Sequence, residues 1–188
     1  MPRPDRSRTA LVDTAATLFR RQGYAATGLS QILEVAGVKP GSLYHHFPQG
    51  KQQLAAAAVD TTGSAIEQLL RQLLSTDRPV SDIVDRWIDV LAAGLAGDPR
   101  DGCPVEPLAT EAVHGSPAIR DAAARAFAGW CAAITDRLRR DGWPAARAEQ
   151  AGFAVISLIE GALILSRTSG DTTALNAAKA AARLLLTV

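Results

Sequence analysis

The densest group of side chains that could do chemistry lies between residues 42 and 51. It contains Ser42, Tyr44, His45, His46 and Lys51, with no acidic residue among them. Hydroxyl, imidazole and ammonium groups donate hydrogen bonds to phosphate oxygens and base edges, whereas phosphates repel carboxylates. The group therefore indicates a surface that binds nucleic acid.

A second group combines a thiol, a carboxylate and an imidazole, in Cys103, Glu106 and His114. Catalysis would need the imidazole within hydrogen-bond reach of the thiol and an oxyanion hole, and a zinc site would need a fourth ligand. No glycine-rich phosphate or dinucleotide motif is present either. We expect no enzyme activity, no metal and no cofactor. A redox role for Cys103, with Cys131 as partner, stands as an alternative to simple packing.

The composition is that of a helical protein with a basic N-terminal segment. Of 188 residues, 47% are hydrophobic and only 5% aromatic, and 36 are alanine, the strongest helix former. Residues 1–51 carry seven basic and three acidic side chains, or +4, whereas the remainder carries 13 and 16, or −3. This asymmetry is typical of a nucleic-acid-binding module joined to another domain.

Hydrophobic periodicity predicts helices throughout, with glycine and proline marking their ends. The first helix ends before Gly23, Thr27 caps the second, and Pro40 begins the third. The nine predicted helices span residues 7–22, 28–36, 40–47, 51–74, 80–95, 105–114, 117–141, 144–167 and 172–186. We expect a domain boundary at the turn over residues 48–50, which gives a head of residues 1–50 and a body of residues 51–188.

The second and third helices have the pattern of a helix-turn-helix. Gly37 supplies the turn, and Leu43 and Phe47 recur four residues apart on the inner face of the third helix. A generic helical hairpin would share this spacing. The polar residues of the third helix would then lie on its outer face, which suits a helix in a major groove.

The run from Thr27 to Phe47, TGLSQILEVAGVKPGSLYHHF, followed by Lys51 and Leu54, resembles the DNA-binding head of the TetR family of bacterial repressors. The first helix, with its ATLF segment at residues 16–19 before Gly23 and Tyr24, fits the same pattern. This resemblance implies an all-α, nine-helix fold, with three head helices that bind DNA and six that bind a ligand and dimerise. One extra residue before Lys51, together with the later GCPV and EGA segments, is similar to the branch typified by LmrA and YxaF.

The resemblance also implies roles for individual head residues. Those at phosphate-contacting positions are Thr27, Tyr44, His46 and Lys51, and those facing base edges are Lys39, Gly41, Ser42 and His45. Phosphate contacts set the register on DNA, whereas base contacts determine the sequence that is bound. We expect Arg3, Arg6 and Arg8 to form a solvated arm, with contact to a DNA groove as the alternative.

In the body, the resemblance implies a cavity for a small apolar or aromatic effector. The residues expected to line it are Trp87, Leu91, Cys103, Phe127, Trp130 and Ile134. Ordinary core packing would explain the same residues. An activator, or a regulator without a ligand, is the alternative to an effector-released repressor.

The run over residues 152–165 is apolar on nearly all sides, so it needs cover from two directions. We expect a second copy of the chain to cover one side, and the resemblance implies a homodimer through the eighth and ninth helices. Burial inside one monomer is the alternative. The expected interface residues are Phe153, Ile156, Glu160, Gly161, Ile164 and Leu165. The run is too short to cross a bilayer, and no apolar signal segment begins the chain. We therefore expect a cytoplasmic protein that binds double-stranded operator DNA and no membrane.

Overall fold

The computed structural model describes residues 6–112 and 114–187, and these form α-helices without any strand. The helices are α1 (Arg6–Gln22), α2 (Leu29–Ala36), α3 (Pro40–His46), α4 (Lys51–Leu73), α5 (Val80–Gly97), α6 (Glu106–Glu111), α7 (Pro117–Arg140), α8 (Ala145–Ser169) and α9 (Thr173–Leu186). The all-α prediction and the helix count are confirmed over this part of the chain. Only α6 ends more than two residues from its predicted limit.

The predicted helix ends at Gly37 and Pro40 are confirmed. Gly37 has φ of 65° and directs its N–H to the Glu34 carbonyl. This left-handed conformation favours glycine because it carries no Cβ. Pro40 occupies the first turn of α3, where a missing N–H costs nothing. The predicted Thr27 cap is wrong, because Gly28 is the N-cap of α2 and no side chain caps the helix.

The first of two compact units comprises the described residues up to Gly63 together with those of Pro104–Ala126. It therefore contains α1–α3, the first half of α4, α6 and the first part of α7. Its core is formed by Leu11, Phe19, Ile32, Leu43, Phe47 and Leu54, each at most 2% exposed. Within this unit, α4 lies close to α7 at Gly63, where a Cβ atom would lie 2.6 Å from the Ala126 Cβ.

The second unit comprises Ser64–Cys103 and the described residues from Phe127 onward. In it, α9 packs against both α8 and α5. Two ion pairs join α5 to α9. Lys179 contacts Asp89, with Nζ 2.7 Å from Oδ1, and Arg183 contacts the buried carboxylate of Asp85.

Helix α8 has the apolar character that the sequence predicted over residues 152–165. The helix is longer than that run, with 25 residues, because alanine-rich turns extend it at its start. By length and composition alone it is the one helix among those described that could cross a membrane, and 44% of its apolar window is buried within the protein. Buried core helices of folded proteins share this composition.

A buried arginine joins the far ends of α4 and α7. The side chain of Arg137 is 9% exposed. Its guanidinium donates to the carbonyls of Leu74 and Thr76, each at 2.7 Å, and of Arg78 at 2.8 Å. Its Nε donates to the Asp141 carboxylate at 2.9 Å. One side chain thus donates to three carbonyl groups of the segment that follows α4.

We expect Arg137→Leu to lower the free energy of unfolding by about 2–3 kcal/mol, because buried carbonyls lose their donors. Urea unfolding measures the change. Arg139→Leu, at an exposed position two residues away, is the matched control and should change stability by about 0.5 kcal/mol or less. Equal losses in the two variants would contradict the role assigned to Arg137.

Candidate nucleic-acid interface

Helix α3 is anchored by apolar residues and presents polar residues to solvent. Leu43 is fully buried and Phe47, its C-cap residue, is 2% exposed, as predicted. Tyr44 is 56% exposed, and His45 is also exposed. Two buried residues thus fix the rotation of a seven-residue helix about its axis.

Four further residues predicted to contact bases or phosphates lie on α3 or at its N-cap. Lys39, the N-cap of α3, and Gly41 are exposed, whereas Ser42 and His46 are half-buried. The His45 and His46 rings meet edge to face, with centroids 4.9 Å apart. Since α3 contains no acidic residue, its outer surface offers donors and cations to an approaching polyanion.

Arg8 adds a cation beside this surface. Its guanidinium carbon lies 5.5 Å from the centroid of the Phe47 ring. Arg6 and Arg8 belong to α1, so the prediction that they form a solvated arm is wrong, because the helix already begins at Arg6. Arg3 lies outside the described residues.

Thr27 differs from its predicted position at a phosphate-facing surface. It is fully buried, and its hydroxyl donates to the Gly23 carbonyl at 2.7 Å. Because the hydroxyl hydrogen is already used to close the turn after α1, this side chain serves the fold of the head.

Lys51 points toward the turn between α1 and α2. Its Nζ atom lies 4.2 Å from the centroid of the Tyr24 ring. Burial lowers the pKa of Lys51, and the carboxylate of Glu111 raises it to a lesser extent. Burial also raises the pKa of Tyr24. The ammonium group is therefore stabilised by an aromatic face and by a carboxylate from α6.

Glu111 ties α6 to the same turn. Its Oε2 accepts the Ala25 N–H at 2.8 Å, and a Cβ atom at Gly23 would lie 2.1 Å from its Oε1. The sequence analysis missed this contact, because the partners lie 86 positions apart and no local pattern connects them.

The six residues predicted to line an effector cavity have different environments. Trp130 and Ile134 are fully buried, and Cys103 is 4% exposed. Phe127 meets Trp130 edge to face, with ring centroids 5.3 Å apart. Trp87 and Leu91 are half-exposed, and Trp87 lines an outer cavity of about 460 Å³ that contains none of the other five residues.

The residues predicted at the dimer interface divide into two groups. Phe153, Ile164 and Leu165 are exposed at 55%, 45% and 61%, and Gly161 is exposed beside them. Ile156 is 5% exposed, so most of its surface already packs within its own monomer. Glu160 is half-buried.

The sequence analysis missed two exposed leucines on α9. Leu184 is 80% exposed and Leu185 is 41% exposed. The three consecutive leucines at residues 184–186 could have indicated this exposure. Three consecutive residues of a helix point in different directions, so they cannot all face the core.

Of the second group of residues, Cys103 belongs to the second unit, whereas Glu106 and His114 belong to the first. Among the described residues, no three His, Cys, Asp or Glu side chains are placed to hold a metal. Cys103 and Cys131 are buried and are not joined by a disulfide, and burial raises the pKa of Cys131. His114 is exposed.

Residues 11–58 match the family described as bacterial regulatory proteins of the tetR family. Residues 79–181 match the C-terminal domain described as LmrA/YxaF-like transcriptional regulator. The chain is 36% identical to the HTH-type transcriptional regulator YxaF of Bacillus subtilis, over 90% of this chain and 89% of that protein. It is 34% identical to LmrA of the same organism, over 90% of each chain.

Solved structures show the same fold. A TetR transcriptional regulator from Legionella pneumophila superimposes with a TM-score of 0.85 over the whole of both chains, at 20% identity. A regulatory protein TetR from Rhodobacter sphaeroides gives 0.84 over 97% of this chain and all of that one, at 20% identity.

Proposed function

Because the chain belongs to the TetR family of bacterial transcriptional regulators, with an LmrA/YxaF-like C-terminal domain, we propose that it is a dimeric repressor. In this proposal it binds a palindromic operator and is released by a small apolar or aromatic effector. Members of the family bind DNA, and dimers and effector ligands are typical of them. Such regulators act in the cytoplasm, where we place this protein.

The observation that carries the proposal is the outer surface of α3. Its exposed side chains are donors and cations, its buried side chains fix their direction, and it carries no acid. We assign base contacts to Lys39, Gly41, Ser42 and His45, and phosphate contacts to Tyr44, His46 and Lys51. Lysine donates well to guanine O6 and N7, and Gly41 leaves room for close approach of the backbone.

The proposed dimer uses the exposed apolar residues of α8 and α9. Phe153, Ile164, Leu165 and Leu184 would be covered by the same surface of a second copy, as in a two-fold symmetric interface. The two heads must then lie about 34–36 Å apart to enter successive major grooves on one side of the DNA. We propose the domain division at residues 50 and 51 because DNA binding is assigned to the head and dimerisation to the body.

The proposed effector acts by shifting a population between two head spacings. A ligand can do so only through its different affinities for the two states, and a coupling of about 1–3 kcal/mol gives a roughly 5- to 150-fold change in operator affinity. The effector contact that this proposal retains is Trp87, because the cavity that it lines contains none of the other five predicted residues. For Leu91, Cys103, Phe127, Trp130 and Ile134 the alternative of core packing stays open.

The experiment tests the phosphate contact proposed for Tyr44. It compares the affinities of Tyr44→Phe and Tyr24→Phe for an operator duplex and for an unrelated duplex. We expect Tyr44→Phe to weaken binding to both duplexes by about tenfold or more, because it removes a hydrogen bond to a charged phosphate. Gel-shift titration measures the affinities. Tyr24→Phe is the matched control, since the Tyr24 ring beside Lys51 is retained, and should change affinity by about twofold or less. Equal behaviour of the two variants would remove Tyr44 from the interface.

A further inference from the structure

A cavity of about 460 Å³ lies on the surface of the second unit, between α4 and α5. We call it the α4–α5 groove. Its lining residues are Leu69 and Leu73 of α4 and Arg86, Trp87, Asp89 and Val90 of α5. The volume falls within the range of small-molecule pockets, roughly 300–1,000 Å³.

The walls of the groove are apolar side chains that the fold leaves in water. Leu69, Leu73 and Val90 are exposed at 54%, 40% and 69%, and Trp87 between them is half-exposed. Leu69 and Leu73 are four residues apart on α4, and Trp87 and Val90 are three residues apart on α5. Each pair therefore lies on one side of its helix. Contiguous exposed apolar surface of this kind marks a binding site more often than a chance arrangement.

The other large exposed apolar residues lie on other surfaces. Val35 and Tyr44 belong to the head, and Phe153, Ile164, Leu165, Leu184 and Leu185 belong to α8 and α9. The proposed DNA surface uses Tyr44, and the proposed dimer surface uses Phe153, Ile164, Leu165 and Leu184. Neither surface uses a residue that lines the groove.

The two charged residues of the groove, Asp89 and Arg86, differ in their ion pairing. The Asp89 carboxylate is held by Lys179, whose Nζ lies 2.7 and 2.8 Å from its two oxygens. Arg86 is exposed, and no described residue is placed as its partner. The groove thus joins an apolar wall to a guanidinium that has no ion-pair partner among the described residues.

We propose that the α4–α5 groove binds an amphipathic anion, a molecule with an aromatic or alkyl body and a carboxylate or sulfonate head. The body lies against Trp87 and the leucines, and the head pairs with Arg86, whose planar donors match a carboxylate. A cation would be repelled by Arg86, and a neutral molecule would gain only a weaker hydrogen bond without the charge attraction. That this molecule is also the effector rests on the proposed function, whereas the binding itself does not.

The test uses the full-length protein and the fluorescent aromatic sulfonate anilinonaphthalene sulfonate, with decanoate and decanol as competitors. We expect Arg86→Gln to weaken dye binding by about twofold to fivefold, as for an exposed ion pair. Leu69→Gln should weaken it by about threefold to tenfold, because apolar contact area is lost. Decanoate should displace the dye at lower concentration than decanol.

Arg78→Gln is the matched control, since Arg78 is exposed outside the groove and the substitution removes the same charge. Dye affinity equal to the parent in Arg86→Gln and Leu69→Gln would place the dye elsewhere and overturn the site. Equal displacement by decanol would overturn the preference for an anion. If sedimentation showed Val90→Glu as a smaller species than the parent, the groove would be an interface between copies, which also contradicts the proposal.

Adding decanoate to the protein bound to an operator duplex distinguishes failure of the groove as a binding site from failure of the proposed function. Suppose that decanoate binds, that Arg86→Gln weakens this binding, and that decanoate does not release a bound operator duplex. The binding site would then stand, but it would not be the effector site. A protein that bound no DNA would contradict the proposed function while the dye titration still reported on the groove.

Discussion

Replacing Ser42 with glutamate is expected to weaken operator binding by about 1,000-fold, because a carboxylate would face DNA phosphates and base acceptors. Like charges held together at an interface cost several kcal/mol, and each 1.4 kcal/mol is about tenfold in affinity. The fold should be retained. Ser42 is the third residue after the N-cap of α3, where an acidic side chain favours the helix.

Ser81→Glu is the matched control for this prediction. Ser81 lies in the first turn of α5, where glutamate is equally favourable for the helix, but it belongs to the second unit. Gel-shift titration should give the control an operator affinity within about threefold of the parent, and circular dichroism should give both variants unchanged helicity. A Ser42→Glu protein that bound its operator normally would show that α3 does not enter the DNA.

Leu165→Glu is expected to raise the dissociation constant of the dimer by about 1,000-fold or more. Leu165 is 61% exposed on α8, so the isolated monomer tolerates the charge. In a two-fold interface each dimer buries two such carboxylates without partners, at several kcal/mol for each. Sedimentation at equilibrium measures the constant, and operator affinity should fall with the loss of the dimer.

Val90→Glu introduces the same charge at a similarly exposed position, since Val90 is 69% exposed on α5. It should remain a dimer in the same sedimentation experiment. A Leu165→Glu protein that stayed dimeric would assign the interface to a different surface from that of α8 and α9.

The head was well predicted because its signals are local. Gly37 and Pro40 fix the turn through their own backbone preferences, and the four-residue spacing of Leu43 and Phe47 determines which side of α3 is buried. The environment of Lys51 was not predictable in the same way. It depends on Tyr24 and on Glu111, which are brought together only by the folded unit.

In the body, hydrophobic periodicity predicted the helices. It did not predict which apolar residues pack within the monomer and which stay exposed. Ile156 and Leu165 lie on the same apolar helix, yet one is buried in the monomer and the other is exposed. A helix that is apolar on all sides gives no pattern to distinguish the two. Trp87 illustrates the same limit, because an aromatic residue suits the wall of an outer groove as well as an interior cavity.

Selection of bound fragments from random duplex DNA measures directly whether α3 reads a DNA sequence. We expect the parent protein to enrich an inverted repeat whose half-site centres lie about one helical turn apart, with affinity that falls steeply as salt increases. Ser42→Glu should not enrich it, whereas Ser81→Glu should. If the parent protein enriched no common sequence at low salt, it would not be a sequence-specific DNA-binding protein. If Ser42→Glu enriched the same repeat as the parent, α3 would not be the helix that contacts the operator.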